Sequence, residues 1–275
     1  MKKLLKKHNF YYKKKWGQNF IFDSNLLAKI ARAAAIVPGD KVMEIGAGIG
    51  TLTRELLTSG AEVIAIEIDP ALCVLLEKLM VDEAVVLIQG DVLKLNLTEL
   101  AACYGWQGDY KVVANLPYYL TTPLLIKLLE EAINSQIMVL MMQKEVAARL
   151  KAKPGTKAYG ALTLKVQYHA CVEILFTVPR DVFQPVPRVD SCLVHLRRRK
   201  KPPVEVRDEQ LLFKIVKAAF GQRRKILLNS LLTVEPTLTK PRLHDILLKA
   251  AINPSQRGEE LSLEQFAALA NCWQV

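Results

Sequence analysis

The chain has 275 residues, 51% of them hydrophobic, and a formal net charge of +11. That length accommodates one large and one small domain with a packed core, and the charge excess suits an anionic partner. The longest strongly apolar run, Ile137 to Met142, is far short of the ~20 residues a bilayer span requires. Four isolated histidines and five scattered cysteines give neither metal-ligand spacing nor a disulfide framework.

The first 22 residues form a basic and aromatic segment. Lys2, Lys3, Lys6, Lys7, Lys13, Lys14 and Lys15 alternate with Phe10, Tyr11, Tyr12 and Trp16. A continuous apolar stretch and a small-residue cleavage site are missing, so no signal peptide is expected. Mitochondrial presequences are Arg-rich, whereas these residues use only Lys. The cysteine pattern is that of reduced thiols, and a cytoplasmic location with no membrane association is the expectation. The spacing of Leu26, Leu27, Ile30, Ala31 and Ala34 then predicts a helix over 24–36, capped by Ser24 and closed by Pro38-Gly39.

Val42-Met43-Glu44-Ile45 reads as a short strand running into Gly46-Ala47-Gly48-Ile49-Gly50 and then an amphipathic helix with Leu52, Leu56 and Leu57. Glycines let a ligand approach the backbone where a Cβ would clash. A dinucleotide fingerprint places its third glycine at position six, which here is Thr51. The displaced glycine argues against a pyrophosphate on the helix and against a dehydrogenase. A second strand, Val63 to Ile66, ends in Glu67, where a carboxylate accepts from both ribose hydroxyls. A third, Val85 to Ile88, leads to Asp91, for which two readings stand: an acceptor for an adenine amino group, or an Asx turn with the backbone of Leu93. A ribose acid plus an adenine acid without a phosphate cradle suits S-adenosylmethionine.

The apolar run Val112-Val113-Ala114 ends in Asn115-Leu116-Pro117-Tyr118. A carboxamide oxygen and a backbone carbonyl held by proline make a pair of acceptors matching the two N–H donors of adenine N6. The adjacent aromatic ring suits base stacking. A helix over 122–132, a buried strand over 137–142 and a helix through Val146 and Leu150 follow. The polar loop 153–157 is a candidate mobile segment. Strands over about 172–177 and 192–196 form an antiparallel edge pair. Beyond Pro202-Pro203 only helical spacing recurs, through Leu211, Leu212, Ile215 and Val216, then Leu243, Ile246 and Leu247, then Phe266 and Leu269.

The expected architecture is therefore α/β: a doubly wound, mainly parallel sheet over 23–201, preceded by segment 1–22 and followed by a helical domain over 202–275.

The order of Gln18-Asn19-Phe20, the Glu44-x-Gly46-x-Gly48-x-Gly50 turn, Glu67, Asp91, Asn115-Leu116-Pro117-Tyr118 and the segment from Phe183-Gln184-Pro185 to Val189-Asp190-Ser191 resembles the rRNA adenine N6-dimethyltransferases. Near the start and at Glu260-Leu261-Ser262-Leu263, the chain is similar to the bacterial small-subunit branch of that family. The resemblance implies a class I methyltransferase fold, Rossmann-like with a seven-stranded sheet. It implies S-adenosylmethionine as donor, S-adenosylhomocysteine as product, no metal, and adenosines near the 3′ end of 16S rRNA in a pre-30S particle as target, with the enzyme monomeric. It assigns Gln18, Asn19, Phe20, Ile21, Glu44, Gly46, Gly48, Glu67, Ile68, Asp91, Val92 and Asn115 to the cofactor. Asn115, Leu116, Pro117, Tyr118 and Phe183 go to the target base, Tyr118 and Phe183 on its two faces.

Purely structural roles are the alternatives. Glu67 can cap a helix, Gln18 and Asn19 can satisfy loop amides, and Phe183 can be ordinary core. RNA contacts are expected from Lys13, Lys14, Lys15, Arg188, Arg223, Arg224 and Lys225, with the run Arg197-Arg198-Arg199-Lys200-Lys201 as a further basic cluster; solvated tails and faces are the alternative. A large-subunit rRNA methyltransferase and an assembly factor with dispensable catalysis are the competing functions.

Overall fold

The computed structural model describes residues 16–273 apart from 82, 132, 133, 223, 224 and 236. Lys13, Lys14, Lys15, Arg223 and Arg224 thus lie outside the described residues. The first compact unit comprises residues up to 147 together with 170–198. It contains, in chain order, β1 (Phe20–Ile21), α1 (Ser24–Ala33), β2 (Lys41–Ile45), α2 (Thr51–Thr58), β3 (Glu62–Glu67), α3 (Pro70–Leu79), β4 (Val85–Gln89), α4 (Leu97–Cys103), β5 (Tyr110–Asn115), α5 (Thr121–Glu130), β6 (Ser135–Gln143), β7 (Ala170–Val178), β8 (Phe183–Gln184) and β9 (Ser191–Arg198). Local chemistry sets several of these bounds. Asp23, rather than Ser24, caps α1, because its carboxylate accepts from the Asn25 and Leu26 amides. That helix stops at Ala33, earlier than its apolar spacing suggests, and Ala35 turns the chain with φ of 47°. Asp69 caps α3 through the Ala71 amide, with Pro70 at the first helical position.

Among the described residues, the strands form a seven-stranded sheet ordered β4-β3-β2-β5-β6-β9-β7 and a two-stranded pair β1-β8. β4 through β6 run parallel, and β9 lies antiparallel between β6 and β7. The order reverses between β2 and β5, and the carboxyl ends at such a switch point open a crevice for ligands. Buried faces on both sides explain why these strands read as near-continuous apolar runs: Val42, Ile64, Val112, Val113, Val139 and Leu140 are all buried. Gln143 at the end of β6 registers with Ser191 at the start of β9, which brings the segment before Ser191 to the same edge as the carboxyl ends of β2 to β6.

The second unit joins 148–169 to the chain from 199 onward. A helix over Lys144–Leu150 (α6) leads in from the first unit, and α7 (Ala161–His169), α8 (Glu209–Gly221), α9 (Leu227–Ser230), α10 (Lys240–Lys249) and α11 (Leu263–Cys272) follow. This grouping changes unit at 198/199, close to the expected boundary at 201, and differs from that expectation in adding residues 148–169 to the second unit. Tyr159, Leu164 and Tyr168 are buried with Leu212, Ile215 and Phe266, and the Tyr159 hydroxyl donates to the Leu261 carbonyl at 2.8 Å. Loop 153–157 is anchored in the same unit, where the Gly155 amide donates to the Glu259 carbonyl at 2.7 Å.

Candidate active site

One cavity at the carboxyl ends of β2 to β5 is lined by every residue that the family resemblance assigns to the cofactor, together with Leu116 and Pro117. Positions as far apart in sequence as Gln18 and Asn115 thus share one wall because the parallel register aligns the strand ends. The described residues lining this cavity include Glu44, Glu67 and Asp91 and no lysine or arginine. Such a wall favours a ligand rich in hydrogen-bond donors or carrying positive charge, and it disfavours a pyrophosphate.

Each acid is held differently. Glu67 is buried; one carboxylate oxygen accepts from the Gly48 amide at 2.8 Å, the other from the Ile68 and Asp69 amides at 2.8 Å. Burial pushes its ionisation up, and these amide hydrogen bonds oppose that shift. The carboxylate does not cap α3, a role Asp69 takes. Asp91 makes the Asx turn, accepting from the Leu93 amide at 3.1 Å through Oδ1 while still lining the cavity. Glu44 is 1% exposed, and its Oε2 meets no hydrogen-bond donor. Burial pushes this carboxyl up to about 8, opposed by the nearby Thr53 hydroxyl and reinforced by the Glu67 charge. A buried carboxyl oxygen without a partner is costly, and a ligand offering a hydrogen-bonding N–H there satisfies it.

The glycine turn provides close approach. A Cβ at Gly48, where φ is +61°, would stand 2.8 Å from the Phe20 ring. Residues 16–21 cross this turn as a strap and are tied down at several points. Gln18 donates through Nε2 to Asp69 Oδ2 at 2.9 Å, Asn19 donates to the Gly17 carbonyl at 3.0 Å, and β1 pairs with β8 so that Ile21 registers with Phe183. The Asn115 carboxamide donates through Nδ2 to the Asn19 carbonyl at 3.0 Å, which assigns Oδ1 as the atom left to accept.

Tyr118 and Phe183 do not line the cavity. The Tyr118 hydroxyl shares a 3.0 Å hydrogen bond with Ser191 Oγ and lies 3.3 Å from the Val189 carbonyl, so the late motif fixes the ring beside Asn115. Phe183 is 3% exposed and sits in the sheet's core. It does not line the cavity in this structure, and its core packing matches the structural alternative to a base contact. Arg188 and Lys225 are exposed. The run from Arg197 is not a uniform solvated cluster. The Arg198 guanidinium donates to the Leu129 and Glu131 carbonyls at the end of α5, where a cation also meets the helix dipole. Arg199 Nε donates to the Gln167 carbonyl. Trp16, Thr51, Leu72 and Tyr119, which no motif marks, also line the cavity. Tyr119 carried a signal, since it directly follows the tyrosine of the Asn115 motif.

Comparison with known proteins agrees with this geometry. A family profile described as "Ribosomal RNA adenine dimethylase" matches residues 9–274. The chain is 50% identical over 260 residues to the ribosomal RNA small subunit methyltransferase A of Caldanaerobacter subterraneus subsp. tengcongensis, covering 94% of this chain and 96% of that protein. It is 47% identical to the protein of the same name from Geobacillus thermodenitrificans, covering 98% and 94%. Among solved structures, a dimethyladenosine transferase from Plasmodium falciparum superposes with a TM-score of 0.72 at 27% identity, covering 91% of this chain and 95% of that one. The 23S rRNA methyltransferase ErmE does so with 0.67 at 26%, covering 92% and 99%. Profile, relatives and fold converge: the chain belongs to the ribosomal RNA adenine dimethylase family and is a methyltransferase.

Proposed function

We propose that the protein transfers methyl groups from S-adenosylmethionine to N6 of two adjacent adenosines near the 3′ end of 16S rRNA, acting as a cytoplasmic monomer on a pre-30S particle. The observation that carries this reading is the Asn115 carboxamide, held by the Asn19 carbonyl with its Oδ1 assigned as acceptor beside an acidic, phosphate-averse cavity. The small-subunit target is supported by relatives at 47–50% identity bearing small-subunit names, against 26% for the large-subunit ErmE.

The donor fits the wall. Glu67 lies where ribose hydroxyls are accepted, Asp91 retains a carboxylate oxygen beyond its Asx turn, and the unpartnered Glu44 Oε2 matches a ligand N–H. When bound, S-adenosylmethionine supplies an activated methyl on a sulfonium. The remaining work falls to the chain. The N6 lone pair of adenine is delocalised into the ring, which makes the amine a poor nucleophile. Hydrogen bonds from its two N–H groups to Asn115 Oδ1 and the Leu116 carbonyl favour the tetrahedral amine and localise that lone pair. No strong base is required before attack, and the proton leaves afterwards to solvent. Positioning therefore supplies most of the barrier reduction. Tyr118, fixed by Ser191, stacks on the extruded base, because N6 chemistry is inaccessible within a stack. The second transfer requires the monomethylated amine to turn and re-enter with a methyl where an N–H had been.

The test is labelled-methyl transfer to small subunits from a host lacking the modification, followed by nucleoside mapping. N6,N6-dimethyladenosine at adjacent positions near the 3′ end is expected. Label confined to 23S rRNA, or no label, overturns the reading.

A further inference from the structure

Tyr118 and Tyr119 are consecutive, yet their side chains serve different places. Tyr118 bonds to Ser191, whereas Tyr119 lines the acidic cavity with 53% of its surface exposed. Other members of that wall, such as Glu44 and Glu67, are 6% exposed or less, so Tyr119 stands at the mouth. Its ring is backed by main chain. A Cβ at Gly17, where φ is +57°, would lie 3.3 Å from Tyr119 Cδ1 and 3.3 Å from Pro117 Cβ. Glycine at 17 thus lets the ring and the strap lie in direct contact, and the aromatic face has a rigid support.

Tyr119 lines the same cavity as Gly90, Asp91, Val92 and Leu93, the stretch that follows β4. Burial, then the charges of Asp91 and Glu67, push the phenol's ionisation up. The hydroxyl stays protonated at neutral pH, and the ring shares the cavity wall with Asp91 and Glu67, read as contacts for adenine and ribose. A planar purine laid against such a ring gains stacking and removes an exposed apolar surface from water.

We propose that Tyr119 is a donor-binding residue that forms the outer aromatic wall over the nucleoside end of the methyl donor. The inference rests on the S-adenosylmethionine reading above and adds a residue to it. The amino-acid end of the donor makes no demand on this ring, so the ring's contribution is the same for any ligand that keeps the adenosine.

Calorimetric titration with S-adenosylhomocysteine and with 5′-methylthioadenosine, which shares the nucleoside but lacks the amino-acid portion, tests this. Tyr119→Ala should weaken both ligands by about tenfold, whereas Tyr119→Phe should keep both within about twofold of the wild type, since the ring is retained. An unchanged melting temperature for Tyr119→Ala separates the effect from unfolding. Loss of affinity for S-adenosylhomocysteine alone places the ring at the amino-acid end and overturns the proposal. Unchanged affinity for both ligands also overturns it, and a rise confined to the RNA KM assigns the ring to the acceptor side. A wild-type protein that binds neither ligand defeats the donor reading itself, a pattern distinct from the others.

Discussion

The Asn115 side chain donates to the Asn19 carbonyl at 3.0 Å, joining the end of β5 to a residue 96 positions earlier. The bond commits the amide's donor to the strap and orients its acceptor, so the strap that crosses the cavity also sets the group proposed to grip N6. Asn115→Ala removes both functions. We expect kcat to fall by about 10²–10³, the scale for losing one preorganised hydrogen-bonding group at a reacting centre, with donor affinity changed only a few fold. Single-turnover rates alongside donor titrations check this; a mutant with wild-type turnover rules out the acceptor pair.

Glu44 gives a pH signature. Its carboxyl is raised from 4.5 to about 8 by burial, so the folded protein holds this proton more tightly than the unfolded chain. The sign follows from linkage: stability associated with this group is complete below about pH 4.5 and is lost as pH rises through about 8. Glu44→Gln lacks that titration. The mutant should gain stability relative to wild type between about pH 5 and 8.5, with the difference levelling above that range. Urea denaturation at several pH values measures it, and a pH-independent difference would show that Glu44 ionises freely in the folded state.

Gly48→Ala introduces a methyl 2.8 Å from the Phe20 ring at a left-handed φ of +61°. Strain at the turn should destabilise the fold by about 1 kcal/mol or more and displace Phe20 from the strap. Donor affinity should drop while RNA affinity stays near wild type. Thermal melts and separate titrations of the two ligands distinguish this from a general folding defect.

The basic residues Arg223, Arg224 and Lys225 are proposed to bind phosphates. Reversing all three to glutamate should weaken rRNA binding and reduce the slope of log K against log salt by roughly 0.7–0.9 for each phosphate no longer neutralised. Filter binding across a salt series reads the slope; if it stays unchanged, these side chains belong to a solvated face.

Much of the site was legible in the sequence because its residues sit at strand ends, where an apolar run stops and a polar group begins. Glu67 after Ile66, Asp91 after the β4 run and Asn115 after Ala114 are local signals, and the parallel sheet needs only its register to bring them together. The glycine turn was likewise local, since close approach and left-handed φ both call for glycine at Gly48.

Other features depend on residues distant in the chain, and no local pattern carries them. Phe183 reads either as a base-contacting ring or as ordinary core, and it is buried within the apolar cluster of the first unit. Arg198 reads as part of a basic run, but the end of α5 supplies carbonyls for its guanidinium. Residues 148–169 precede a strand of the sheet and nonetheless belong with the helical unit, because Tyr159, Leu164 and Tyr168 find their apolar partners there. The linear order of residues was enough to fix which chemical groups stand at the ends of the strands. Which of those groups were already occupied emerged with the folded chain alone, because burial and hydrogen bonding are settled by neighbours brought in from elsewhere.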